Sequence, residues 1–185
     1  VIVPFAEEFA LSSELADSTE WKPEKATVKL PGKTKLKSDR EEDRYAFSVP
    51  PQKEEGKLAL RVGDEYKKIE VTPLPRPELV DLTAKLRLPD YLRYEEDPVI
   101  PVRGGTLSAV EGAQVTFTAK TSRELREARA DGVALTVEGE AFSTAPVPVE
   151  EGTRFEVSWE DIHGLEAKNP LKLRVTPVED KAPDV

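Results

Sequence analysis

The sequence contains no cysteine, no methionine and a single histidine, His163, in 185 residues. Without cysteine there is no disulfide, no thiolate nucleophile and no cysteine-type zinc site. Without a second histidine a His-based metal centre has no partner ligand. Aromatic residues are scarce, 2 Trp, 4 Tyr and 6 Phe, so any core must rest mainly on Val, Leu and Ala. No apolar run approaches the roughly 18 residues of a membrane span, and no leader with a basic start and an apolar core is visible. The lack of even an initiator methionine reads as a piece of a longer protein. Cysteine-free β domains are commoner among exported bacterial proteins than among eukaryotic extracellular ones, and the expected location is the bacterial periplasm or exterior.

A basic field is also missing. The net charge is −9; residues 1–75 carry 13 basic and 15 acidic side chains, and residues 76–185 carry 14 and 21. A phosphate backbone would be repelled, which argues against nucleic-acid binding.

Proline is abundant at 16 residues, and its spread breaks up any long helix. The alternation of apolar and polar residues predicts strands instead. In Thr153–Pro177, Phe155, Val157 and Trp159 alternate with polar residues, and after a turn Leu171, Leu173 and Val175 do the same. This is a β-hairpin pattern. It occurs once before, where Lys57 to Val62 runs through Gly63-Asp64-Glu65 and returns as Ile69 to Pro73. Both returning strands end in Val-Thr-Pro, at 71–73 and 175–177. The shared ending predicts two tandem copies of one architecture. Three prolines at alternate positions, Pro73, Pro75 and Pro77, suggest a stiff connector, which places the domains at 1–75 and 76–185.

Other segments follow the same logic. Val1 to Pro4 and Glu8 to Leu11 read as a strand pair across a turn. Trp21, beside Lys22-Pro23, reads as a plug for the core or a rim. Ala26 to Leu30 and Tyr45 to Val49 alternate cleanly, and the charge-rich run Lys33 to Arg44 reads as a solvated loop or edge. Leu79 to Leu88 is the longest regular strand, with apolar residues at 80, 82, 84, 86 and 88. Thr106 to Val110 and Gln114 to Ala119 flank Glu111-Gly112 as another pair. Thr121 to Gly132 is ambiguous: it holds a capping-box pattern, yet its apolar face is narrow for an isolated helix, which favours a loop and a short strand. Val133 to Val137 and Ala141 to Thr144 then flank Glu138-Gly139. Seven or more short strands at intervals of about 8–12 residues over roughly 100 residues predict an immunoglobulin-like antiparallel β-sandwich for the second unit, and a reduced version for the first. Jelly-roll or fibronectin-type strand order stays open.

A family likeness is carried by Leu88-Pro89-x-Tyr91, by Gly105-x-Leu107-Ser108-Ala109-x-x-Gly112-x-x-Val115-x-Phe117-x-Ala119, and by Asp161-x-x-Gly164. These resemble the repeated immunoglobulin-like segments in the exported region of large uncharacterised bacterial membrane proteins. The first unit matches more loosely, through Thr19-x-Trp21-x-Pro23. The resemblance implies a membrane-anchored parent and a spacer or binding role. Its motif residues are turn formers and core positions, and no catalytic residue comes with them.

Candidate chemistry is sparse. A Ser-His-Asp arrangement would have to combine His163 with Asp161 or Glu160 and with Ser158, all at a solvent-exposed hairpin without an oxyanion hole; an exposed turn histidine is the better reading. Val178-Glu179-Asp180-Lys181-Ala182-Pro183-Asp184 resembles the acidic calcium linkers between cadherin domains, but Lys181 stands where an oxygen ligand is needed. Glu95-Glu96-Asp97 reads as a solvated acidic loop. Tyr91 and Tyr94 could stack on a sugar ring, although Tyr91 suits a core-capping role. Paired carboxylates for glycoside hydrolysis are selected by no spacing. The expectation is therefore two tandem immunoglobulin-like β-sandwiches, non-enzymatic, without catalytic, metal or cofactor site. They would serve as a spacer or protein-interaction module, with a carbohydrate-binding module as the alternative.

Overall fold

The computed structural model describes residues 1–32, 34–89 and 96–179. The chain forms two compact units, Val1–Pro75 and Arg76–Val185. Among the described residues every regular element is a strand.

The first unit contains β1 (Ile2–Pro4), β2 (Phe9–Glu14), β3 (Lys25–Lys29), β4 (Lys35–Asp39), β5 (Arg44–Val49), β6 (Gly56–Val62) and β7 (Glu65–Leu74). Five strands make one sheet in the order β1-β7-β6-β3-β4, and β2 pairs with β5 to make the other. The alternation in the sequence deals Ala26 and Val28, Leu58 and Leu60, and Val71 inward from the larger sheet. Tyr45, Phe47 and Val49 of β5 meet them from the smaller one, and all are buried in one cluster. The Lys-rich run forms edge strand β4, with Lys35 and Lys37 in solvent and Leu36 half-buried. Charged outward residues on an edge discourage pairing with a foreign strand.

In the second unit the strands are β8 (Leu79–Arg87), β9 (Val99–Pro101), β10 (Thr106–Val110), β11 (Gln114–Thr121), β12 (Leu125–Ala130) and β13 (Val133–Ala134). They are followed by β14 (Thr136–Glu138), β15 (Ala141–Ser143), β16 (Val147–Pro148), β17 (Arg154–Asp161) and β18 (Leu171–Val178). One sheet runs β10-β18-β17-β12-β13; the other runs β14-β15-β11-β8-β9, with β16 also on β11. Their inner faces share one core, from Leu82, Ala84, Val115, Phe117 and Phe142 on one side to Ala128, Val157, Trp159, Leu173 and Val175 on the other. Two aromatic contacts span the sheets. Phe117 meets Phe155 edge to face at 5.9 Å between ring centroids, and Phe142 meets Trp159 at 5.6 Å. Val80, expected inward with its alternating neighbours, is exposed.

Both units are immunoglobulin-like β-sandwiches, and the Val-Thr-Pro repeat has a structural meaning. Within otherwise antiparallel sheets, the last strand of each unit takes a parallel partner, the first strand β1 in the first unit and the third strand β10 in the second. In the first unit Ile2 sits opposite Thr72 and Val3 opposite Pro73; in the second, Ser108 sits opposite Thr176 and Ala109 opposite Pro177. Val71 and Val175 are buried, and the Thr-Pro that follows each is half-buried. Proline fits here because a strand at this position can lack one N–H donor. Gly105 permits the second of these pairings: at φ 73° any Cβ would collide with the carbonyl oxygen of Lys172, and its own carbonyl accepts the N–H of Arg174.

Two expected strand pairs are corrected. Residues 1–4 do not pair with 8–11, because β1 joins β7 while β2 joins β5. Likewise β10 joins β18 while β11 joins β8. In both units this short turn carries the chain across the sandwich from one sheet to the other. By contrast, β14 and β15 form the expected hairpin, and Thr121 to Gly132 is a bend followed by strand β12 and a turn.

Candidate functional site

Alternation along β17 separates the residues that a catalytic triad would have to bring together. Ser158 points outward into solvent, whereas Asp161 is fully buried. Asp161 Oδ1 accepts the backbone N–H groups of His163 and Leu165, each at 2.9 Å. Oδ2 accepts Arg123 Nε at 2.9 Å. Two of these three donors come from the loop that starts at Asp161 itself, so the carboxylate closes the loop rather than orienting an imidazole. The His163 side chain is exposed. Glu160 is engaged on the outer face by Arg126. The signal for this loop lock was already in the sequence, in Asp161-x-x-Gly164, where an acid precedes a turn glycine.

The outer face of this sheet is a ladder of opposite charges, Arg126 with Glu160, Arg129 with Glu127 and Lys172 with Glu156. The hydrogen bond from Arg129 holds the Glu127 carboxyl below its ordinary value, and the same bond raises Arg129. One rung breaks the pattern: Arg154 lies directly opposite Arg174, beside an open concavity of about 620 Å³. Like charges in that position oppose strand pairing.

Other candidates fall away or outside. Tyr91, Tyr94 and Glu95 lie outside the described residues, as do residues 180–185 of the acidic tail. Asp97 forms an ion pair with Lys85 at 3.4 Å. Among the described residues no cluster of three His, Cys, Asp or Glu side chains could hold a metal ion.

Trp21, expected as a plug for the core or a rim, does not plug the core: it is 63% exposed, on the wall of a groove of about 510 Å³ within the first unit. Three attachments hold its segment. Tyr45 donates its hydroxyl to the Pro23 carbonyl, and Lys22 Nζ reaches both oxygens of Asp43 at 2.6 and 2.8 Å. Beneath the indole lies Gly63, at φ 58° in the β6–β7 turn, where a Cβ would overlap Cζ3 and Cη2 of Trp21. One edge of the ring thus rests on bare backbone. Tyr66, 57% exposed, shares the groove.

No protein-family model and no curated protein matches the sequence. Among solved structures, the I9-I11 tandem of titin aligns at 9% identity and a TM-score of 0.38, covering 96% of this chain and 62% of that one. The fibronectin(III)-like modules of Clostridium thermocellum CbhA align at 14% identity and a TM-score of 0.40, covering 96% and 89%. This chain therefore spans about 62% of the titin tandem. The assignment of the fold rests on the strand order and packing given above.

Proposed function

We propose that this chain is a pair of β-sandwich modules from the exported, periplasmic or extracellular region of a bacterial protein, acting as a spacer or a protein-interaction unit without enzymatic activity. The observation that carries this reading is the parallel pairing of β1 with β7 and of β10 with β18. The first unit's opening strand β1 runs alongside its last strand, so tension applied through that unit's ends loads several hydrogen bonds together in shear. In the second unit β10, which follows β8 and β9, makes the same parallel pairing with the last strand β18. A chain that must transmit force or hold a distance benefits from that geometry. The proline-bearing connector adds stiffness between modules. The lack of cysteine and the resemblance to exported bacterial repeats support the compartment and an anchor elsewhere in the parent protein.

Pulling a single molecule of the intact chain from both ends tests the reading. Two separate force peaks are expected, releasing roughly 270 and 400 Å of extended chain, less the folded lengths, at about 3.6 Å per residue. Smooth extension without peaks would remove the case for a load-bearing spacer.

A further inference from the structure

We propose that the Trp21 groove of the first unit is a carbohydrate-binding site for an uncharged oligosaccharide. This goes beyond the spacer reading and stands on different observations. A solvated tryptophan forgoes the apolar burial that makes the residue useful in cores, and Trp159, in the second unit, is only 5% exposed. Trp21 is nevertheless held in place. A buried tyrosine hydroxyl, a two-pronged lysine contact and a glycine with positive φ all act on its immediate segment. Fixing a side chain in advance removes the entropy a ligand would otherwise have to overcome.

The groove's chemistry selects the ligand class. Its volume lies within the roughly 300–1,000 Å³ typical of small-ligand clefts. Trp21 and Tyr66 supply flat apolar surface for the C–H face of a pyranose ring. Glu14, Asp64, Glu65 and Lys67 stand around them, and groups of this kind accept from and donate to ring hydroxyls. Three of those four charges are negative, although Glu14 also faces Arg44 at 3.9 Å. An acidic sugar would be repelled, whereas a neutral or N-acetylated one would not.

The test uses the intact chain and the fluorescence of its two tryptophans, only one of which is open to a quencher. Cellohexaose, xylohexaose, mannohexaose and N-acetylchitohexaose are titrated with acrylamide present, beside hexagalacturonate and an oligoproline peptide. The expected result is saturable protection of the accessible tryptophan by at least one neutral or N-acetylated sugar and none by hexagalacturonate. Trp21→Ala, followed by titration calorimetry because the substitution removes the reporting ring, should weaken that binding about tenfold or more, the equivalent of about 1.4 kcal/mol. Tyr66→Ala, at an exposed position, should weaken it several-fold and stands in if Trp21→Ala fails to fold. The proposal is overturned if no neutral or N-acetylated sugar protects, if only hexagalacturonate or oligoproline does, or if sugar binding survives both substitutions. The pulling experiment is unaffected by any of these outcomes.

Discussion

The two units share a strand plan and close it differently. The second joins its sheets with two aromatic contacts, Phe117 with Phe155 and Phe142 with Trp159, and Trp159 Nε1 donates to the carbonyl of Pro77 at 3.2 Å. The first is shorter, and β2 and β5 alone make its second sheet. Its large buried rings, Tyr45 and Phe47, both come from β5, and its tryptophan is outside. The difference teaches that the repeat specifies hydrogen-bonding positions rather than side-chain volume. Val71 and Val175 are interchangeable in role, whereas Trp21 and Trp159 have opposite ones.

Truncating the core of one unit should break the comparison most visibly. Phe117→Ala removes a fully buried ring and should cost about 4 kcal/mol, lowering the unfolding midpoint of the second unit by circular dichroism and leaving the first unchanged. Asp161→Ala should cost the same unit about 3 kcal/mol, because it strands Arg123 and two loop N–H groups at a buried position. Asp161→Asn, which can still accept hydrogen bonds, should cost less. If the two variants behaved alike, the loop lock would depend on charge rather than on the acceptors.

Fold class and loop chemistry were legible at different levels. Alternation at Val157, Trp159, Leu173 and Val175 identified both the hairpin and its buried face, and all four are buried. Alternation specifies which face of a strand is wet, but not which strand lies beside it. Residues 2–4 pair with residues 72–74, and only closure of the whole sandwich brings them together. The same limit produced the two wrong strand pairs, because a short turn reads alike whether the chain returns in its own sheet or crosses to the other. The core reading of Trp21 fails for a related reason. Its hydrophobicity argues for burial, whereas its position is set by Gly63, Pro23 and Tyr45, whose proximity is tertiary. Val80 shows the same effect at smaller scale: a regular pattern carried it one step past the end of the buried stretch.

Smaller effects sharpen the contrast. Tyr45→Phe leaves the ring in the core of the first unit and removes its bond to Pro23, so it should cost about 1 kcal/mol and loosen Trp21, seen as greater acrylamide quenching. At the surface, Lys57 Nζ meets Glu70 at 2.7 Å. That hydrogen bond holds the Glu70 carboxyl below its ordinary value of 4.5 and Lys57 above its ordinary 10.5. The contribution of Glu70 is complete above the unfolded value and is lost as pH falls through the folded one. The contribution of Lys57 is complete below its unfolded value and is lost as pH rises through the folded one. Glu70→Gln should therefore lower the first unit's midpoint by about a degree near neutrality, an exposed pair being weak, and by nothing in strong acid.

Calorimetry of the intact 185-residue chain tests most directly whether there are two modules, each closed on its own core. The account predicts two transitions, with enthalpies of roughly 50 and 75 kcal/mol from about 0.7 kcal/mol per residue near 60 °C, each two-state by its own van't Hoff ratio. A single transition whose van't Hoff enthalpy equals the total for the whole chain would contradict it.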